Sequence, residues 1–504
     1  MLSVFDQGAC PPCPAPFNMA DYVLTSGARH PDKTALTVIG TQEAESWSFA
    51  DLLRAVQGTA RGLMQSGLAC GDRVLMRLGN TVDFPVCYLG ALWAGMVPVP
   101  TSAALTLGEV ARIIADVDPA LVLQAPGVAC PAHPRIVPLD GLRHWRSLPS
   151  GPPQMGDPNR LGYIVYTSGT SGVPRAVGHA HRAIWARRMM FDGWYGLTPQ
   201  DRMLHAGAFN WTYTLGTGLM DPWTVGASAL IPAAGTAATA LPDLAAAHGA
   251  TLFAAAPGVY RQMLKRDGLW PRHRLRHGLS AGEKLSPRLA QAWQAATGTP
   301  IFEAFGMSEC STFISGAPAR PVPADVIGRP QPGRRVALLG ADGPVPLGTE
   351  GTIAVHRSDP GLMLGYIDAP EETKTRMQGD WFLTGDQGTM TEDHQIRYLG
   401  RADDMMNAGG FRVSPLEVEA VLATMPGVTA VGVTEVEVKA DARVIAAFYT
   451  GPAPLDPGAL ADYVSDKLAR YKHPRLYVHL ADLPTGANGK IRRSDLRAQF
   501  EAPS

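Results

Sequence analysis

YTSGTSGVPR, from Tyr166 to Arg175, is the stretch on which the reading of this chain turns. It follows a compact apolar run, Tyr163 to Thr167, that suits a strand. The hydroxyls of Thr167, Ser168, Thr170 and Ser171, the backbone donors exposed by Gly169 and Gly172, and the cation of Arg175 could together hold triphosphate oxygens. The stretch is neither GxxxxGK[ST] nor followed by GxGxxG, so the chemistry is that of a phosphate loop on a different framework. Taken alone, a Gly/Ser loop of this kind is also an ordinary turn.

Working outward, residues 49 to 64 carry a helical apolar stripe, Arg73 to Arg77 a short strand, Leu107 to Val117 a helix and Ala120 to Leu123 another strand. Phe84 to Pro100 is apolar but broken by glycine and proline, which predicts a buried helix, a turn and a strand rather than a membrane span. Helix over Pro242 to Ala247, strand over Thr251 to Ala255 and helix over Gly258 to Lys265 continue the alternation. Such an order favours a parallel or mixed sheet covered by helices. From Arg334 to Val355 the signal turns to short β pieces, and near residue 400 an acidic turn and two glycines precede a clear helix from Pro415 onward. A hinge placed there divides the chain into residues 1–402 and a small α+β domain over 403–504.

Composition narrows the classes. The 504 residues exceed one ordinary core, 46% of them are hydrophobic, and 44 Lys plus Arg balance 45 Asp plus Glu, so no basic field advertises a nucleic acid. Six cysteines make no disulfide scaffold, and Cys10 and Cys13 lack a second pair at zinc-site spacing. The start, MLSVFDQGAC, does not read as a secretory signal, which leaves the cytoplasm as the expected compartment and no stable membrane insertion.

Four further blocks accompany the loop in order: FGMSE at 305–309, TGD at 384–386, GRADD at 400–404 and PTGANGKIRR at 484–493. Together the five blocks resemble the adenylate-forming superfamily of acyl-CoA synthetases, peptide-synthetase adenylation domains and luciferases, over nearly the whole chain. The resemblance implies an α/β fold with a large multi-sheet N-terminal domain and a small mobile α+β C-terminal domain. It also implies a two-step reaction that uses ATP, Mg²⁺ and coenzyme A. Three positions depart from the pattern: Arg175 and Ala176 stand where the superfamily usually has Lys and Gly, and Ser308 where it generally has Thr. Arg keeps the charge but presents a planar fork instead of a compact ammonium.

By this resemblance Glu309 is the magnesium-binding acid, a hard oxygen ligand suited to Mg²⁺, with Ser308 beside it. In isolation Ser308 could cap a helix with Glu309 in its first turn. Phe305 resembles the aromatic residue that covers adenine, although a core aromatic has the same identity. SAGEK at 280–284 resembles the segment beside adenine and the acyl pocket, which brings in Ser280, Gly282 and Glu283. Asp386 resembles the acceptor of the ribose hydroxyls, with Arg401 as a cationic donor. Lys490 resembles the functional lysine that meets the acid carboxylate and the α-phosphate. Asp403 matches the hinge, and Gly409 and Gly410 match the strand lining the CoA passage. His179 and His181 lack the acidic or thiol companions of a zinc site, so packing or nearness to the nucleotide outranks ligation.

HAGAFNWTYTLGTGL at 205–219 resembles the acyl pocket of benzoate-CoA and medium-chain acyl-CoA ligases. Phe209, Trp211, Tyr213 and Gly216 fall in it, and an apolar wall there favours an aromatic ring or an aliphatic chain over a charged acid. The expected partners are a small carboxylic acid and CoA, with room for a homodimer. A separate carrier protein as acyl acceptor and a noncatalytic nucleotide-binding module stay open as alternatives.

Overall fold

Ser48 starts the first long helix, Phe49–Gln65, by accepting from the Asp51 amide while the Asp51 carboxylate accepts from the Ser48 amide. Its stripe of Leu52, Val56 and Leu63 is buried. The helix Leu107–Val117 opens with the same reciprocal cap, from Thr106 and Glu109. Between them come the strand Arg73–Arg77, a fully buried helix Asp83–Trp93 and the strand Val97–Pro100. The broken apolar run is thus helix, turn and strand, as its glycines and prolines predict. The computed structural model describes every residue except 9, 41–43, 168–173, 267–269, 324, 403, 409–410, 440–441, 466, 469, 487–490 and 502–504.

The chain forms an α/β fold with a large multi-sheet N-terminal domain and a smaller α+β C-terminal domain. Its contacts group into two units: Phe5–Val336 with Val355–Phe382, and Met1–Val4 with Ala337–Ala354 and Leu383–Ser504. The larger unit is built on a nine-stranded sheet. Six of its strands run parallel in the order Ile301–Met307, His277–Ala281, Leu252–Ala255, Arg202–His205, Ser228–Pro232 and Thr34–Ile39. Helical crossovers are what such parallel neighbours require. The run is flanked by antiparallel strands Ser311–Ser315 and Ala44–Ser48. Because four of the parallel strands end at His205, Ala255, Ala281 and Met307, the segments that follow them share one edge of the sheet, where ligands of open α/β sheets bind. Phe253, Tyr260 and Trp293 pack within one of its cores. A four-stranded parallel sheet and a three-stranded sheet, Gly365–Tyr366, Arg175–Ala180 and Leu161–Thr167, complete the unit.

The smaller unit has its own core of Met406, Val418, Val433, Ile445 and Leu460. Helices Pro415–Leu422, Pro457–Ser465 and Arg493–Glu501 accompany a sheet of Ala430–Lys439, Ala442–Thr450 and Leu476–His479. Arg493 binds both oxygens of Glu419, at 2.7 and 2.9 Å, and thereby ties the last helix to the first. Among the described residues no helix is long and apolar enough to cross a membrane.

Candidate nucleotide and acid site

The strand before the phosphate loop returns as an antiparallel partner after it, with Thr167 opposite Arg175 and Tyr166 opposite Ala176. This hairpin brings Thr167 and Arg175 to the two ends of the loop. The loop residues Ser168, Gly169, Thr170, Ser171 and Gly172 lie outside the described residues. Arg175 extends its guanidinium to Glu372, with Nη2 2.6 Å from Oε1.

Glu309 lies in the turn between the strands Ile301–Met307 and Ser311–Ser315 and is buried. Three contacts fix it. Tyr366 donates its hydroxyl to Glu309 Oε1 at 2.7 Å, the Met363 amide donates to the Glu309 carbonyl at 2.7 Å, and His179 Nε2 lies 2.7 Å from the Ser308 carbonyl. A carbonyl only accepts, so the His179 proton sits on Nε2. Burial pushes the His179 pKa down to about 4, which keeps the ring neutral at pH 7. His181 is likewise pushed down by burial, to about 3, and its Nδ1 accepts from the Met19 amide. Both histidines act as packed, neutral hydrogen-bonding groups, in line with the packing alternative. Phe305, on the strand before the turn, meets Phe313 edge to face at 5.5 Å.

The candidate acid-pocket segment is stapled by Asn80, which accepts from the Phe209 amide and donates to the Gly207 carbonyl. Phe209 is fully buried with its ring against Phe84. Trp211 and Tyr213 meet edge to face at 5.1 Å, and the Tyr213 hydroxyl donates to the Leu279 carbonyl at 3.0 Å. Gly282 has φ +94°, and a Cβ there would lie 2.8 Å from Trp211 Cζ2. Glycine is therefore required both by the backbone and by the indole lying over it. Ser280, one strand position before Ala281, is buried and faces the register partner Glu303 on the next strand. Glu283, next along the chain, is half-buried.

Gly216 belongs to a π-helix, Thr214–Met220, that the sequence pattern does not announce. A Cβ at Gly216 would fall 2.2 Å from Arg187 Cζ, so the missing side chain makes room for a buried guanidinium. Arg187 is neutralised there by Asp221, through Nε to Oδ1 at 2.8 Å and Nη2 to Oδ2 at 2.6 Å. The Tyr195 hydroxyl adds a third bond to the same carboxylate, at 2.7 Å. Arg187 also donates to the Ser311 hydroxyl, just beyond the Glu309 turn. A small cavity bordered by Tyr88, Tyr163, His179, Arg187, Ser308 and Ser311 opens here.

In the smaller unit, Asp386 and Arg401 are register partners on antiparallel strands Trp381–Met390 and Ile396–Arg401. Asp386 is buried, accepts from the Tyr398 hydroxyl at 2.7 Å and lies 3.5 Å from Arg401 Nη1. Lys490, Asp403, Gly409 and Gly410 lie outside the described residues.

Residues 24–367 match the AMP-binding enzyme family, and residues 417–490 match the AMP-binding enzyme C-terminal domain. The chain belongs to the AMP-binding enzyme family. The 3-hydroxybenzoate–CoA ligase of Aromatoleum sp. (strain CIB) is 29% identical, with 91% of this chain and 92% of that protein aligned. The ATP-bound structure of MatB from Rhodopseudomonas palustris superposes with a TM-score of 0.87 at 25% identity, covering 96% of this chain and 99% of that one. The anthranilate CoA ligase AuaEII, solved with anthranoyl-AMP, gives 0.87 at 26% identity, covering 97% and 98%.

Within the AMP-binding enzymes the chain stands in the adenylate-forming acyl-CoA synthetase superfamily, and it is an AMP-forming acid-thiol ligase that binds ATP. The buried Glu309 carboxylate is a hard oxygen donor of the kind a divalent cation takes. Among the described residues no group of three or more His, Cys, Asp or Glu side chains could hold a metal. That donor set still fits Mg²⁺, which takes one or two carboxylates and draws its remaining oxygens from substrate phosphates and water. Two groups packed against the candidate site residues went unread in the sequence. Tyr366 and Arg187 belong to none of the five blocks, and only their contacts, a half-buried Tyr366 on Glu309 and a buried Arg187 beside Asp221 and Gly216, mark them.

Proposed function

We propose that this ligase activates an aromatic or medium-chain aliphatic monocarboxylic acid as its acyl-adenylate and passes the acyl group to coenzyme A. The observation that carries the reading is the electrostatic state of the pocket segment. A half-buried Trp211 meets the buried Tyr213 edge to face, so the segment is aromatic and uncharged, and the nearby cation, Arg187, has its charge matched by Asp221. A second substrate carboxylate would have to break that buried pair, which costs more than a rim contact returns. The names of two similar proteins, a 3-hydroxybenzoate–CoA ligase and an anthranilate CoA ligase, support an aromatic acid.

In this proposal the acid carboxylate attacks the α-phosphorus of ATP, pyrophosphate leaves, and the CoA thiol then displaces AMP from the acyl carbon. Mg²⁺ held by Glu309 would draw off phosphate charge. Arg175 and the loop residues orient the phosphates, Phe305 and the Ser280–Glu283 segment border adenine, and Asp386 with Arg401 holds the ribose. Lys490 neutralises charge at the reacting carboxylate, and residues 403–504 move about Asp403 so that Gly409 and Gly410 line the CoA passage. A purified-protein acid panel read by CoA-dependent AMP formation tests the acid class. Turnover of benzoate-like or medium aliphatic acids is expected, and turnover of small dicarboxylates alone refutes it.

A further inference from the structure

Glu372 and Tyr366 sit on one short segment, and each holds a charged group that the nucleotide must use. The segment is fixed to the phosphate-loop hairpin itself: Gly365 pairs with Gly178 and Tyr366 with Val177, and the Leu364 and Ile367 amides donate to the Gly178 and Ala176 carbonyls at 2.8 Å each. The Tyr366 amide donates to Thr373 Oγ1 at 2.9 Å, which closes the segment onto the helix Pro370–Thr375. From that helix Glu372 reaches Arg175, at 2.6 Å, while Tyr366 occupies Glu309 Oε1, at 2.7 Å.

We propose that Glu372 is a positioning residue that stands in for a phosphate on the Arg175 guanidinium and is displaced when the triphosphate binds. The inference rests on the nucleotide role of Arg175 in the proposed function. Its chemistry comes from the Arg that replaces Lys. A planar guanidinium presents a fork matched equally to carboxylate and phosphate, so one can hold the place of the other. Tyr366 does the parallel task at Glu309, donating to the oxygen that a cation would need. Both charges are thus satisfied and aimed within the chain, and a nucleotide would exchange partners instead of ordering free side chains.

The pair is partly open to water, with side-chain exposures of 33% for Arg175 and 42% for Glu372. An ion pair of that exposure limits the competition to about 1.5- to 5-fold in affinity. Isothermal titration of the purified full chain with Mg-ATP, and separately with inorganic tripolyphosphate, reads it without turnover. Glu372→Gln is expected to tighten both ligands by that factor. Glu371→Gln, the same charge change on the exposed neighbour, is expected to do less, and the gain is expected to vanish in an Arg175→Met background. Unchanged or weakened binding by Glu372→Gln overturns the inference, as does an equal gain from Glu371→Gln or a gain that persists without Arg175. Wild-type protein that binds neither ligand would instead bring down the nucleotide reading and this inference with it. Melting curves of each variant confirm that the folded proteins are being compared.

Discussion

Glu303 offers a quantitative test of the wall behind the SAGEK segment. Its carboxyl is buried on the strand Ile301–Met307, accepts from the Leu285 amide at 2.8 Å and lies 3.9 Å from Lys284 Nζ. Burial raises its pKa from 4.5 to about 7, against the opposing effects of the Lys284 charge and the Leu285 amide. A carboxyl with a raised folded-state pKa keeps its proton in the native protein after the unfolded chain has lost its own. Between about pH 4.5 and 7 the native state therefore binds more protons, and stability falls as pH rises through that window, levelling above it. Each pKa unit is worth about 1.4 kcal/mol, so the loss across the window is about 3 kcal/mol. Glu303→Gln keeps an acceptor for Leu285 and removes the titration. Thermal melts of both proteins across pH 4 to 8, at fixed ionic strength, isolate the effect because every other group titrates in both. The two should melt together near the acid end and separate by several degrees at the alkaline end, with the variant the more stable. Parallel curves would show that Glu303 titrates alike in the folded and unfolded chain and that its burial carries no such cost.

Glu309→Gln keeps the side chain's size and the Tyr366 contact but removes the charge, so acid-dependent pyrophosphate exchange should fall far more than the melting temperature; full exchange at limiting Mg²⁺ would refute a metal role. Asp386→Ala should weaken ATP binding by about 10-fold or more, the worth of a lost charge-assisted hydrogen bond, measured by titration calorimetry on folded protein. Lys490→Ala should cripple acyl-AMP formation while sparing CoA attack on supplied acyl-AMP, and Gly410→Leu should show the reverse bias. Equal losses in both half-reactions for both folded variants would defeat the alternation of faces. Asp221→Asn leaves Arg187 buried without its counter-charge and should cost about 3–5 kcal/mol of stability. An unchanged melting temperature would contradict the buried pair.

The parts of this molecule that were legible in its sequence are those written in consecutive residues. The apolar stripes over residues 49 to 64 and 107 to 117 become the helices Phe49–Gln65 and Leu107–Val117, FGMSE at 305–309 runs off the end of the strand Ile301–Met307, and TGD at 384–386 lies within the strand Trp381–Met390. What was not legible depends on residues far apart. Nothing near Arg175 announces Glu372, nothing near Glu309 announces Tyr366, and Arg187 finds Asp221 only because a π-helix carries the chain between them. A seven-residue π-helix is too short to leave a period of its own. Orientation is hidden as well: Phe209 and Trp211 are both aromatic, yet the Asn80 staple sets Phe209 against Phe84 while Trp211 lies over Gly282.

The π-helix Thr214–Met220 also makes chain length, and not only residue identity, a constrained quantity in the segment proposed to line the acid pocket. A π-helix turns somewhat less per residue than the ~100° of an α-helix, so deleting a single residue here would swing Asp221 by about a quarter-turn from Arg187 and strand a guanidinium in the interior. Under the proposed acid pocket, exchanging side chains on the segment can leave the buried Arg187–Asp221 pair in place, whereas a one-residue deletion would break it.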